Sequence, residues 1–152
     1  MHDHTFVDLL ARRKAVNSPL QESEVSALLA RLLGAGELTR LPSRRADLEV
    51  FLALAAALFE AGRLYREDEV NERLRDWLER FASRRQLDHV TLRRALVDMR
   101  YLLRDAPGLA YRCNPAKIAM QLTEAACNVD PGAIHAMRLR ERAERKHRRA
   151  KR

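Results

Sequence analysis

The amino-acid sequence predicts a mainly α-helical protein with one small β-hairpin. Three observations predict it. The chain divides into seven segments that carry apolar residues at helical spacing or open on Asn-Pro or Asp-Pro. One stretch, Tyr101 to Arg112, instead reads as two short extended runs around Asp105-Ala106-Pro107-Gly108, a turn signal. Between residues 44 and 112 the order is helix, short strand, helix, turn, helix, hairpin, which is the order of a winged helix-turn-helix. We therefore expect a winged-helix-like core with a β-hairpin wing at residues 36–112. A helical hairpin (1–35) packs on it, and two C-terminal helices ending in a basic tail (113–152) follow it.

The first helix is expected over about 3–16, where Phe6, Leu9, Leu10 and Arg13 share a face. The second opens on Ser18 as cap, Pro19 in the first turn and Gln21 closing a capping box. Val25, Leu28, Leu29, Leu32 and Leu33 form its stripe, and Gly34 and Gly36 end it. Glu37–Leu41 is a short extended piece. Ser43 is expected to cap a third helix over about 44–60, whose face of Leu48, Phe51, Leu52, Ala55 and Leu58 belongs at the centre of the core, with Gly62 as its C-cap. Leu64-Tyr65 suits a short strand. The fourth helix, about 67–81, has Glu67, Asp68 and Glu69 in its first turn, where the helix dipole favours acids. It buries Val70, Leu74, Trp77, Leu78 and Phe81. Asp88 caps the fifth helix, about 89–100. Pro115 and Pro131 start the sixth (about 115–127) and seventh, and the seventh loses its apolar stripe after Met137 or Leu139.

Composition narrows the function. At 47% hydrophobic, the 152 residues can build a real core. Aromatics are only 5%, which argues against the base-stacking platforms of single-strand binders. The longest apolar run, about Val50–Phe59, is shorter than the roughly 20 residues that span a bilayer, and the N-terminus has no signal-peptide pattern. A membrane partner is not expected. Cys113 and Cys127 lack metal-site spacing and read as reduced thiols in a cytoplasmic protein. His2 and His4 on a terminus are too few to hold a metal ion. No nucleophile or carboxylate pair sits in a catalytic setting, and no cofactor is implied, so a non-enzymatic role is expected.

Charge is the strongest functional signal. Residues 138–152 hold nine Lys or Arg against two acids, +7 in a chain whose net charge is +8. These are Arg138, Arg140, Arg142, Arg145, Lys146, Arg148, Arg149, Lys151 and Arg152. Such a run neutralises phosphates and releases their condensed counterions. The bland alternative is a solvated end.

The fifth helix is the candidate recognition helix. Leu92, Ala95, Leu96 and Met99 form its buried side. Thr91, Arg94 and Asp98 form the opposite stripe, with Arg93 beside it. Thr91, Arg93 and Arg94 suit phosphates and base edges. Asp98 does not, and an Arg94–Asp98 pair on an ordinary solvated face is the alternative. In the wing, Arg104 and Arg112 could touch phosphate. Arg40, Ser43, Arg44 and Arg45 could hold one at the start of the third helix, against the alternative that Asp47 or Glu49 neutralises them. Asn71, a poor helix former within a helix, suggests a structural hydrogen bond to the wing or turn.

The patterns L-T-R-L-P-S (38–43), G-R-L-Y-R-E-D-E-V-N (62–71) and D-H-V-T-L-R-R-A-L-V-D (88–98) carry a resemblance. Over about residues 36–112 the chain resembles a bacterial family of unknown function whose members stand alone or follow an ArsR-type winged-helix regulator. The resemblance implies a winged-helix-like fold and a regulatory setting, and no established activity. This chain differs at Arg66, where Ser or Thr usually caps, in a longer turn before Asp88, and at Arg100, where family members often have Gly. The expected function is non-catalytic nucleic-acid binding, with duplex DNA in transcription regulation ahead of RNA. The alternatives are an RNA- or ribosome-associated factor and a protein-interaction module that docks a regulator or forms a homodimer.

Overall fold

The structure is a computed structural model, which describes residues 18–105 and 110–151. The helix expected over 3–16, the His2/His4 pair, the Ala106–Leu109 part of the wing turn and Arg152 lie outside the described residues.

Six α-helices and a three-stranded antiparallel sheet share one apolar core among the described residues. In chain order these are α1 (Glu22–Leu32), α2 (Arg45–Ala56), β1 (Tyr65–Arg66), α3 (Glu67–Glu79), α4 (His89–Asp98), β2 (Leu102–Asp105), β3 (Ala110–Cys113), α5 (Pro115–Gln121) and α6 (Pro131–Ala150), with a 3₁₀ turn at Ala125–Asn128 before α6. The sheet order is β1-β3-β2, with Tyr65 opposite Tyr111 and Leu102 opposite Cys113. This is the expected winged-helix-like arrangement: α2, α3 and α4 with a hairpin wing and one short strand laid against it.

Helix α2 is the centre of the core, as its wide apolar face requires. Every residue from Val50 to Ala56 is buried. Phe51 meets Trp77 and Phe81 of the α3 region at ring distances of 5.2 and 6.1 Å. Leu92 and Leu96 of α4 complete the packing, both with no exposed surface. Full burial of one such side chain contributes about 1.5–3 kcal/mol, so this seam holds the helix-turn-helix together.

Several expected details shift. The α1 cap is Gln21 rather than Ser18. Glu24 accepts the Gln21 N–H at 3.2 Å, while Leu20 is drawn out of the helix to bridge Leu122. That bridge also divides the helix expected over 115–127. The Leu20 N–H reaches the Gln121 carbonyl at 2.8 Å, and the Thr123 N–H reaches Leu20 at 3.0 Å. Chain 122–123 is therefore extended, and helix resumes only as the 3₁₀ turn. Ser43 does not cap α2. Arg44 holds that place without a side-chain bond. The helix ends at Ala56 rather than near 60, so Gly62 (φ 81°) serves the turn before β1, not a C-cap.

Two of the three departures from the family pattern, Arg66 and Arg100, are absorbed locally. Before α3, the Glu69 carboxylate accepts the Arg66 N–H at 3.2 Å, so the missing Ser or Thr does not leave that donor bare. After α4, the Tyr101 N–H bonds the Leu96 carbonyl at 2.8 Å and the Arg100 N–H bonds that of Val97 at 3.1 Å. This is the two-bond Schellman closure, with Arg100 in the left-handed region at φ 63° where Gly is usual. The wing starts in place despite the Arg.

The largest difference lies at the C-terminus. Helix α6 does not stop where its apolar stripe fades; it runs unbroken through 20 residues. Asp130 caps it by accepting the Gly132 N–H at 2.9 Å, and its other oxygen holds Arg80 at 2.7 Å. The start of α6 is thereby fixed to the end of α3. Ala, Arg, Lys and Glu are all good helix formers, and the basic residues of the last turn suit the negative end of the dipole.

Candidate nucleic-acid interface

Cations that could meet a polyanion are those the fold does not already use, and the described ion pairs separate the two kinds. Thr91, Arg94 and Asp98 are all exposed on α4, as the helical wheel requires. No ion pair joins Arg94 to Asp98 among the described residues, so Arg94 faces outward without an acid. Arg93 does not join it. Its side chain is only 16% exposed, donates to Asn71 Oδ1, and lies 3.5 Å from Glu67. Glu67 also accepts the Tyr111 hydroxyl proton at 3.0 Å. Burial, then this carboxylate, pushes the Tyr111 phenol up and keeps it a donor. Asn71, Arg93, Glu67 and Tyr111 thus tie α3, α4 and the wing together. Asn71 makes a structural bond as expected, but to α4.

The wing offers less. Arg104 is exposed, with its guanidinium 5.9 Å from the Tyr111 ring. Arg112 lies 3.8 Å from Asp105, at the outer limit of an ion pair. At the start of α2, Arg40, Ser43, Arg44 and Arg45 are all exposed. The acids expected to neutralise them are engaged elsewhere. Asp47 takes Arg31 at 2.9 Å, which raises the Arg31 pKa through that bond. Glu49 accepts from Tyr101 at 3.0 Å and from Gln121 at 2.9 Å. Among the described residues Arg40, Arg44 and Arg45 have no ion-pair partner.

Beside the N-terminus of α4 lies an open cleft of about 320 Å³. Leu78, Ala82 and Leu87 floor it, and Arg75, His89 and the Glu79–Arg84 pair (3.0 Å) rim it. Partial burial, then Arg75, holds the His89 pKa below its ordinary value. The Thr91 N–H holds the Asp88 carboxylate below its own, at a bond of 2.8 Å. No sequence signal marked this cleft, because its walls come from two helices and the turn between them.

Helix α6 carries the densest charge. Pro131, Gly132 and His135 are buried and Arg138 is half-buried against the body. Arg142 donates to the Gly34 carbonyl in the loop after α1. From Leu139 to Lys151 every residue is exposed. Arg142, Arg145, Lys146 and Arg149 line one hollow of about 280 Å³. Neither Glu141 nor Glu144 forms an ion pair among the described residues, so the helix does not neutralise itself. The basic composition announced this segment; its unbroken helical course and its contact with Gly34 were not readable from it. No helix among the described residues is long and apolar enough to cross a membrane, and none of their His, Cys, Asp and Glu side chains gather in threes as a metal ion needs.

No curated protein and no solved structure matches the chain. Residues 37–113, just over half of the chain and the segment that holds α2 to β3, match DUF2087, a family described as an uncharacterized protein conserved in bacteria, and the chain belongs to that family.

Proposed function

We propose that the protein binds nucleic acid without catalysing a reaction, and that duplex DNA in a gene-regulatory, cytoplasmic setting is its target. One observation carries this reading. Arg94 of α4, Arg40, Arg44 and Arg45 at the α2 start and the basic residues of α6 beyond Arg138 are exposed and form no ion pair among the described residues, while the acids near the α2 start are committed to other partners. Unpaired exposed Arg on a helix-turn-helix scaffold suits phosphate contact, which supplies most of the affinity and all of the salt dependence. Thr91 and Arg94 lie on the outward stripe of α4, where a groove-facing helix needs donors. Arg93 acts in this reading as a positioning residue that sets α4 against α3 and the wing. The regulatory setting rests on the family resemblance, and the cytoplasmic one on two free cysteines.

The buried aromatic residues favour duplex over single strands. Every Phe, Tyr and Trp among the described residues is buried, so none offers a stacking surface. The test is the affinity of the full chain and of a 1–137 truncation for duplex DNA and duplex RNA across a salt series. The proposal expects full-length binding to DNA that weakens with salt, and a truncation that keeps weaker binding with a shallower slope. Absence of binding by the full chain to any nucleic acid would refute it. Binding that vanishes completely with the truncation would remove α4 from the interface.

A further inference from the structure

Resting on the nucleic-acid reading, we infer that one face of α6, formed by Arg142, Arg145, Lys146 and Arg149, is a preformed rail for the phosphates of a DNA duplex, and that it binds them without regard to sequence.

The argument begins with helical geometry. At about 100° per residue, Pro131, His135 and Arg138 project from one arc of α6. With Gly132 and Ile134 at the margins of that arc, these are the residues turned into the body. Arg142, Arg145 and Arg149 continue the same arc with the same alternating spacing of four and three, and Lys146 lies beside them on it. The cationic stripe is therefore the packed face of the helix prolonged beyond the point where the body ends. It does not face away from the protein. It overhangs, turned to the side on which the body lies.

Contacts at its root confirm that direction. Arg142, the first cation of the stripe, reaches the Gly34 carbonyl, and a Cβ added to Gly36 would stand 4.0 Å from its guanidinium. From there the chain runs to Leu38, which bridges Ala82 in the turn between α3 and α4. The overhang thus starts on the side of the molecule that presents the helix-turn-helix turn.

The chemistry of the stripe is uniform. No acid lines the hollow between the four side chains. Glu141 lies about 100° to one side on the wheel and Glu144 on the opposite face. Four side chains that donate only, on a helix already formed, match a row of phosphate oxygens. Phosphates are the part of a duplex that every sequence shares, and among the described residues no aromatic ring is exposed to stack on a base. Because the helix is continuous before any ligand arrives, binding does not have to order the segment first.

The experiment compares two variants that each remove three positive charges. R145Q/K146Q/R149Q strips the stripe and spares Arg142, which touches the body. R140Q/R148Q/K151Q strips the opposite side. Both are made in the full chain, and circular dichroism confirms equal helix content. Affinity for two duplexes of unrelated sequence is measured across a salt series. We expect the stripe variant to lower the salt slope by about 2.7, at about 0.9 per lost phosphate contact, equally on both duplexes. The opposite-side variant should lower it by less than about 1. Equal losses from the two variants would overturn the rail and leave an undirected cloud of charge. A stripe loss confined to one duplex would overturn its sequence blindness. Failure of the unmodified protein to bind either duplex would instead refute the nucleic-acid reading itself.

Discussion

Helices α4 and α6 both carry arginine, and the fold treats them oppositely. Helix α4 has ten residues and is packed along one side by Leu92 and Leu96. Of its two arginines, one is drawn inward to Asn71 and Glu67 and only Arg94 is left to solvent. Helix α6 has twenty residues, and beyond Arg138 its one side-chain hydrogen bond to the body among the described residues is that of Arg142 to Gly34. A cation near a core is recruited to satisfy the core's polar atoms. A cation on a helix that has left the body stays available to an external anion. Counting basic residues would rank the two helices by charge alone; their packing decides which charges are available.

The contrast is broken most sharply in the apolar layer. Leu96→Ala, in a fully buried site, should destabilise the protein by about 2–5 kcal/mol. Leu139→Ala, half-exposed on α6, should stay within about 0.5 kcal/mol. Urea titrations of both variants measure the difference, and similar midpoints would contradict the boundary drawn between body and overhang. Next in size is the arginine pair. Arg93→Ala leaves Asn71 Oδ1 without its donor and takes the cation from beside Glu67, whose Oε1 keeps the Tyr111 hydroxyl, and should cost about 1–3 kcal/mol of stability, at the lower end because Glu67 is half-exposed. Arg94→Ala should leave stability unchanged and weaken DNA binding. If the two exchange roles, the assignment of Arg93 as a positioning residue fails.

The smallest effect is a cap. Asp88→Ala removes the acceptor for the Thr91 N–H and should cost about 1 kcal/mol at neutral pH. The sign with pH follows from the depressed Asp88 pKa. A carboxylate whose folded pKa is lowered stabilises the fold fully above its unfolded value, near 3.9, and loses that contribution as pH falls through its folded value. The gap between parent and variant in thermal melts should therefore be constant from neutral pH down to about 4 and close below that.

Much of this was legible in the sequence. The α3 and α4 starts and the wing follow from local signals, such as three acids in one first turn, an Asp cap and period-two runs around a turn. Thr91, Arg94 and Asp98 face outward as a wheel on Leu92 demands. What could not be read was set by distant partners. Ser18 and Gln21 compete for one cap, and Leu20 pairing with Leu122 decides between them. The same bridge cuts the helix expected over 115–127. Arg93 and Arg94 are neighbours in sequence and equal in chemistry; only Asn71 and Glu67, twenty or more residues earlier, separate them. The apolar stripe of α6 fades after Leu139, as expected, but where the helix itself ends could not be read from it, because helix propensity continues after the core does.

The Gly132 contact has a consequence for the reach of α6. A Cβ at that position would stand 2.8 Å from the Cβ of Arg80 and 2.9 Å from its guanidinium carbon. The first turn of α6 and the last turn of α3 approach closely only because a hydrogen atom stands where others have a methyl. That contact is the pivot of a lever. A twenty-residue helix is about 30 Å long, so widening the pivot enough to tilt it by about 10° would swing its tip by about 5 Å, more than the length of a hydrogen bond. The smallest residue in the chain, at the quiet end of the helix, therefore sets where the charges at the other end arrive.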